Sequence, residues 1–197
     1  KGASISSARM QVYFKGNDDY FHRKAVFTDP ESGEFFKDND ERAIFFARGI
    51  LETVKKLRWK PDLIHCQGWI SNLLPIYLKK AYKEDPIFAE SKVVLSLYDE
   101  FATEEFSPKM KSKVILPGIR SRDLDLLNTP NGINLAKLAV QYSDGIILGS
   151  PSFNPELEKY LAGVKIPTLP YIEVTKESKE YIEKYNEFYN KIMNNAL

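Results

Sequence analysis

Apolar and polar positions recur along the chain with periods that predict alternating strands and helices. In residues 3–15, apolar Met10, Val12 and Phe14 alternate with more polar neighbours, which is the period-two pattern of an extended segment. Three shorter apolar runs lie further along the chain. Each is bounded by proline, glycine or charged residues, as is typical of strands buried on both faces of a parallel sheet. They span residues 62–66, 92–98 and 145–149.

Helical patterns fill the segments between these runs. A helix is predicted to begin at Asp38, which would act as its N-cap, while Glu41 would complete a capping box. Pro61 prevents its continuation. The apolar face expected for this helix consists of Phe46, Ile50, Val54 and Leu57. Further helices are predicted to begin at Ser71 or Asn72, at Asn131 or Asn134, and at Asn154.

The alternation predicts an α/β fold, with a Rossmann-like parallel sheet and helices on both of its faces. Residues 17–37 are predicted to form a loop whose phenylalanines pack on the core. Residues 99–130 are expected to be a functional loop or a set of short local helices. Ligands bind such sheets beyond the carboxyl ends of the strands. Those ends carry residues 66–69, 98–101 and 149–153, and we place Asp38 at the same edge.

The tail carries a separate amphipathic pattern. After Thr175, aromatic and apolar residues form one helical stripe, and acid–base pairs four residues apart support the helix. We expect residues 171–197 to contain a helix that docks on an α/β domain of residues 1–170, the alternative being a partner surface. The stripe consists of Tyr181, Tyr185, Phe188, Tyr189 and Ile192.

Composition narrows the classes of function. The 197 residues are 43% hydrophobic and 28% charged, which is ordinary for one soluble domain with a sizeable core. Because 28 Lys and Arg balance 27 Asp and Glu, we expect no nucleic-acid surface. No apolar run approaches the roughly 18 residues of a membrane span, so we expect no membrane association. The single cysteine favours a reducing, cytoplasmic setting. Histidine and cysteine are too few for a His/Cys metal cage, whereas a site of oxygen ligands stays open.

Several catalytic motifs are missing from the sequence. It contains no G-x-G-x-x-G, no P-loop and no G-x-S-x-G elbow. His65 and Cys66 are adjacent, but neighbouring residues of a strand point to opposite faces, so they do not pair as base and nucleophile. We expect Cys66 to be structural. His65 lies near the carboxyl end of its predicted strand, and it is either structural or a ligand-binding side chain.

Five motifs occur in a specific order within residues 13–155. The most informative is residues 59–69, WKPDLIHCQGW, which is similar to W-x-P-D-hydrophobic-hydrophobic-H-x-H-D-W. In this order the chain resembles the N-terminal domain of bacterial glycogen and starch synthases, including short, single-domain glycogen synthase-like proteins. The other four motifs are the aromatic pair at residues 20–21, the helix start at 38–42, P-x-Y-L-K at 75–79, and residues 134–151.

The resemblance implies the N-terminal half of a GT-B fold, in which two Rossmann-like domains face a deep cleft. It implies transfer of glucose from ADP-glucose or UDP-glucose to an α-1,4-glucan acceptor, with retention of configuration and with no metal or other cofactor. A second domain or chain would complete the donor side of the cleft. The family's site residues carry over to Asp38 and Gln67 as catalytic candidates. Substrate-binding candidates at the strand ends are His65, Gly68, Trp69, Tyr98 and Asp99.

Departures from the family pattern leave more than one function open. Gln67 and Gly68 replace the histidine and aspartate of H-D-W, and glutamine can hydrogen-bond a sugar but takes no proton at neutral pH. Tyr98 and Asp99 stand where the family has an H-N pair, and these 197 residues contain neither K-x-G-G-L nor a second α/β pattern. The chain is therefore a glycosyltransferase half that is inactive alone, or a non-catalytic α-glucan-binding or regulatory module. An unrelated α/β enzyme on a similar fold is a third alternative.

Overall fold

The computed structural model describes residues 2–5 (backbone only), 10–14, 16–100, 103–173 and 180–194. A 3₁₀ turn covers Trp69–Ser71, a π-helical turn covers Tyr77–Ala81, and a second 3₁₀ segment covers Ser121–Asn128. The elements are β1 (Gly2–Ile5), β2 (Met10–Tyr13), α1 (Asp18–Phe21), α2 (Asn39–Leu57), β3 (Leu63–Gln67), α3 (Leu74–Ile76), β4 (Lys92–Leu97), α4 (Met110–Val114), α5 (Gly132–Gln141), β5 (Gly145–Leu148), α6 (Pro155–Ala162), β6 (Thr168–Leu169) and α7 (Glu180–Asn194).

A parallel sheet in the order β3-β4-β5-β6 organises the structure. The three predicted strands and the α/β fold class are confirmed. β3 is an edge strand among the described residues, so Leu63, Ile64 and His65 are half-buried, and the expectation that it is buried on both faces is wrong. β6 was not predicted, because two residues carry no readable period.

The larger core lies on the sheet face that carries Cys66 of β3 and Leu95 of β4. Helices α2, α3 and α5 cover this face, and their fully buried side chains include Leu51, Tyr77 and Leu138. Asn131 caps α5 by accepting a hydrogen bond from the Asn134 backbone N–H, as one of the two predicted starts required. The 3₁₀ turn that follows β3 also contacts α2.

Helix α7 covers the opposite face of the sheet. Its Phe188 and Ile192 pack on Val94 and Ile147 and form a second, smaller core. Gly145 makes this approach possible, because a Cβ there would fall 2.6 Å from Cδ1 of Ile192. Helices therefore lie on both faces of the sheet, as the fold class requires. The predicted helix start near Thr175 lies outside the described residues.

Helix α2 begins as predicted, with Asp38 at the N-cap position, but the predicted side-chain capping is not formed. The Asp38 side chain makes no capping hydrogen bond, and Glu41 bonds to Tyr20 and Lys113 instead of closing a capping box. The expected apolar face is also displaced, since Leu57 is exposed and the residues that are buried include polar ones. Those buried residues are Asn39, Asp40, Arg42, Ala43, Ile44, Ala47 and Leu51. The cause is a set of distant polar partners that a local periodicity does not show.

The remaining segments are short. In the described part of residues 2–14, two strands, β1 and β2, pair antiparallel where one extended segment was expected, and Met10 and Phe14 are exposed. The loop of residues 17–37 contains α1, and its Phe27 and Phe35 pack against the core as expected. The segment after β4 forms short helices, α4 and the second 3₁₀ segment. Among the described residues, no helix is both long and apolar enough to cross a membrane.

Candidate active site

Asp38, the first catalytic candidate, is held by an arginine. Nη1 of Arg23 donates to Oδ1 of Asp38 at 2.8 Å, and Nη2 donates to Oδ2, so the pair is bidentate. Arg23 is itself positioned by a hydrogen bond to the Asp19 carbonyl oxygen and by the Phe36 ring, 4.7 Å below the guanidinium. The hydrogen bonds from Arg23 lower the pKa of Asp38, which keeps this carboxyl ionised as an acceptor.

Buried polar groups surround Asp38. Arg42 is almost fully buried and donates to the carbonyl oxygens of Tyr20 at 2.9 Å and Val26 at 2.6 Å. Lys113 of α4 donates to Asp40 at 2.8 Å and to Glu41 at 2.7 Å. Residues 20–26 and α4 are thereby tied to the start of α2. We call Arg23, Asp38, Asn39, Asp40, Arg42 and Lys113 the α2 network.

The chain turns sharply after β3. Gly68 has φ 74° and ψ 158°, a backbone region that is essentially restricted to glycine. The Ser71 hydroxyl donates to the Gln67 carbonyl oxygen at 3.1 Å and to that of Gly68 at 2.8 Å, which closes the turn. The Trp69 backbone N–H donates to Oε2 of Glu100 at 3.1 Å. Glu100 thus joins the ends of β3 and β4, a role that its sequence position after β4 allowed but that we did not predict.

Trp69 is a core side chain. It is 5% exposed and packs edge-on or tilted against Phe27, Phe35 and Phe106, with ring centroids 5.5–6.1 Å apart. These contacts hold the loop of residues 17–37 and the segment before α4 against the strand end. A sugar ring has no access to the indole face in this arrangement. Trp69 supports the strand end by packing in the core below it.

His65 and Gln67 point to the sheet face that α7 covers. Nε2 of His65 lies 2.7 Å from the Ser96 hydroxyl, and Nδ1 lies 2.8 Å from the Tyr189 hydroxyl. Both contacts are satisfied when Tyr189 donates to Nδ1 and Nε2–H donates to Ser96. The amide nitrogen of Gln67 lies 3.5 Å from Nδ1, so its oxygen is directed away from the histidine. Burial lowers the pKa of His65, which keeps the ring neutral at pH 7.

Tyr98 and Asp99 follow β4. The Tyr98 ring lies across Gly149, where a Cβ would fall 2.5 Å from its Cε1. The Asp99 backbone N–H donates to the Ser150 hydroxyl, and its carboxylate accepts from the Asn154 backbone N–H, both at 3.0 Å. Asp99 therefore connects the strand ends to the start of α6.

The structure divides the candidates between the two faces of the sheet. Gly68, Trp69, Tyr98 and Asp99 line one enclosed space together with Glu100, and its volume of about 10 Å³ is about the size of one water molecule. Asp38, His65 and Gln67 do not line it. Gln67 lies on the α7 face, and Tyr98 borders this face as well, since Gln67 is level with Ser96 in the register and Tyr98 follows two residues later. Phe101, also expected at this edge, lies outside the described residues.

Cys66 has no catalytic geometry. It is 3% exposed on the core face, and burial raises its pKa to about 12, so its thiol is not ionised at neutral pH. In the part of the chain that the structure describes, no three His, Cys, Asp or Glu side chains are close enough together to hold a metal ion.

Comparison with known proteins supports the order of the motifs. The model of the starch synthase catalytic domain family matches residues 1–167. Similar curated proteins include a glycogen synthase from Chlorobium limicola, 32% identical over 157 residues, which covers 80% of this chain and 32% of that protein. A glycogen synthase from Thermotoga maritima is 33% identical over 162 residues, which covers 82% of this chain and 32% of that protein. The chain thus spans about a third of the length of these relatives.

The fold also resembles a solved structure. The catalytic domain of starch synthase IV from Arabidopsis thaliana, bound to ADP and acarbose, superposes with a TM-score of 0.51 at 19% sequence identity. The superposition covers 71% of this chain and 31% of that one. It confirms the expected Rossmann-like fold of the GT-B type. The matched residues of the family model end before α7, so the tail helix lies beyond the part of the chain that this model describes.

Proposed function

This chain belongs to the starch synthase catalytic domain family, and on that premise we propose that it forms the acceptor side of a glycosyltransferase. The reaction transfers glucose from ADP-glucose or UDP-glucose to the non-reducing end of an α-1,4-glucan. The family match over residues 1–167 carries this proposal. ADP-glucose is the first donor to test, because the similar starch synthase IV structure contains ADP.

Asp38 and Gln67 have different roles in the proposed site. The ionised carboxylate of Asp38 accepts hydrogen bonds, and Arg23 fixes its orientation. Gln67 is exposed at the end of β3 and offers an amide to a sugar hydroxyl or carbonyl group. Neither residue acts as a proton donor at neutral pH, because the carboxyl of Asp38 is ionised and an amide does not titrate.

A second domain or a partner chain supplies the donor side. Glycosyl transfer needs a closed cleft from which water is excluded. The space enclosed at these strand ends has room for about one water molecule, so these residues alone do not form such a cleft. We propose that closure of the second domain completes the cleft and that no metal or other cofactor takes part. The reaction is placed in the cytoplasm, a setting that a single buried, unpaired cysteine favours.

The transfer reaction is tested with the 197-residue chain and with the full-length gene product. Each is incubated with ADP-glucose or UDP-glucose and maltoheptaose, and extension of the glucan is measured. We expect extension only where a second domain or a partner chain supplies the donor side, and none by the 197 residues alone. A Gln67→His variant restores the family residue, and we expect it to raise the rate of the active protein. No extension by the full-length gene product with either donor would exclude the catalytic function.

A non-catalytic glucan-binding module is the second candidate. It is favoured by Gln67, because glutamine keeps hydrogen-bonding capacity but has no acid–base chemistry. Calorimetric titration with maltoheptaose tests it, and Gln67→Ala and Asp38→Ala should each weaken binding. Gln141→Ala is the matched control, since Gln141 is exposed at the end of α5 and away from the strand ends. Absence of binding at millimolar maltoheptaose would count against both functions.

A further inference from the structure

The α7 face of the sheet holds hydrogen-bonding groups that the protein itself does not use. The Gln67 side chain is exposed at the end of β3, and Tyr98 lies on the same face just beyond the end of β4. Tyr185 of α7 lies near both strands, since its ring centroid is 6.4 Å from that of His65, and burial together with the nearby Tyr98 phenol raises the pKa of Tyr185. Gln67, Tyr98 and Tyr185 therefore lie on the same face of the sheet, beside the carboxyl ends of the strands.

These groups are available to a ligand. Among the residues that the structure describes, neither the Tyr98 hydroxyl nor the Tyr185 hydroxyl has a hydrogen-bond partner. The Gln67 amide oxygen is likewise unused, because its nitrogen faces His65. Two hydroxyls and an amide carry no charge and both donate and accept, which suits a ligand rich in hydroxyl groups better than an anion or a cation.

Helix α7 is held firmly enough to present Tyr185 at a fixed place. Phe188 and Ile192 are buried between α7 and the sheet, and the Tyr189 hydroxyl contacts Nδ1 of His65 at 2.8 Å. Tyr185 lies one helical turn before Tyr189, so the register that Tyr189 sets also sets the position of the Tyr185 ring. The ring of Tyr185 packs edge-on against that of Tyr189, with centroids 6.2 Å apart.

We propose that Tyr185 is a glucan-binding residue that acts together with Gln67 and Tyr98, so that the tail helix forms one wall of the acceptor site. This inference rests on the proposed function, because it takes an α-glucan as the ligand. It adds a contribution from beyond the residues that the family model matches, which end at 167. The Tyr185 hydroxyl bonds a sugar hydroxyl, while the half-buried ring packs against the apolar side of a glucose unit.

Tyr185→Phe tests the proposal, because it removes one oxygen atom and keeps the packing of α7. Maltoheptaose binding to the full 197-residue chain is measured by calorimetry for the wild type and the variant. We expect binding about three- to tenfold weaker in the variant, which corresponds to the loss of one hydrogen bond. Tyr13→Phe is the matched control, an exposed tyrosine on the β1–β2 hairpin, and it should bind like the wild type.

The outcomes separate this inference from the proposed function. Weaker binding by Tyr185→Phe, with Tyr13→Phe unchanged and both variants unfolding at the wild-type temperature, supports the inference. Wild-type affinity in Tyr185→Phe overturns the role of Tyr185 and leaves the glucan function intact. A wild-type chain that binds no maltoheptaose overturns both. Equal weakening in the two variants also overturns the inference, because the effect would not be specific to α7.

Discussion

The start of α2 and the ends of β3 and β4 carry the two catalytic candidates in very different surroundings. At the start of α2, buried charged and amide side chains bond to one another and to backbone carbonyl groups. At the strand ends, Gln67 is exposed and the hydroxyls of Tyr98 and Tyr185 have no partner among the described residues. The polar side chains at the start of α2 are bonded within the protein, whereas the strand ends keep donors and acceptors that the described residues do not bond.

This difference indicates how the two regions divide their work. A buried polar network is stable only when every member has a partner, so the α2 network fixes the geometry of Asp38. A surface with unused hydroxyl and amide groups loses little by staying solvated, and it gains hydrogen bonds when a polyhydroxyl ligand arrives. We infer that stability depends mainly on the first region and ligand contact mainly on the second.

The largest effect is expected from Arg42→Met. The change leaves the partly buried carbonyl oxygens of Tyr20 and Val26 without their donor, and it should lower the free energy of unfolding by about 2 kcal/mol. Urea denaturation measures this loss. Arg48→Met is the control, an exposed arginine on the same helix, and it should change stability by less than about 0.5 kcal/mol. Equal losses in the two variants would show that the α2 network contributes no more to stability than an exposed arginine does.

A loss no larger than this is expected at the strand ends from Gly68→Ala. The backbone angles of Gly68 are unfavourable for any residue with a Cβ, although the nearest atom to that Cβ would be 3.7 Å away. The strain alone should lower stability by about 2 kcal/mol. Gly16→Ala, where a Cβ would meet nothing within 4 Å, provides the comparison. If both alanine variants unfold like the wild type, the turn after β3 does not require glycine.

Acid should affect the α2 network through Asp38. Arg23 lowers the pKa of this carboxyl. The stabilisation that the Arg23–Asp38 pair gives the folded state is therefore present above the ordinary aspartate pKa of about 3.9, and it is lost as the pH falls through the lower pKa of the folded state. The Arg23→Gln variant should be about 1 kcal/mol less stable than the wild type at pH 7. The difference should shrink as the pH falls below the ordinary aspartate pKa of about 3.9. Lys24→Gln, which removes a neighbouring exposed charge, should show no such convergence.

The strand-end region should respond to acid in a different window through His65. Burial lowers the pKa of His65. The stabilisation that depends on a neutral His65 is therefore present above the ordinary histidine pKa of about 6.5, and it is lost as the pH falls below that value. The loss between pH 7 and pH 5 should be smaller than about 1 kcal/mol and should be reduced in His65→Gln. His22→Gln, at an exposed histidine, should keep the wild-type pH dependence. A full pH response in His65→Gln would assign the effect to another group.

Local signals in the sequence predicted much of the fold and less of the site. The buried strands and the Asn131 and Asn154 caps were readable because they depend on neighbouring residues. Asp38 takes the predicted N-cap position of α2, but the bond of its side chain to Arg23 was not readable, because Arg23 is fifteen residues away in an irregular loop. The family motif located Gln67. It gave no information about Tyr185, which follows the matched residues and approaches His65 of β3 only through the docking of α7 on the sheet.

The missing side chain at Gly145 has an evolutionary consequence. Phe188 and Ile192 fill the space above this residue, and any larger residue would collide with them. The main core lies on the other face of the sheet and would be left intact by the same change. A substitution at position 145 should therefore weaken the docking of the tail helix more than it weakens the main core. Among related chains, glycine at this position should be inherited together with the tail helix and should be free to vary where that helix is missing.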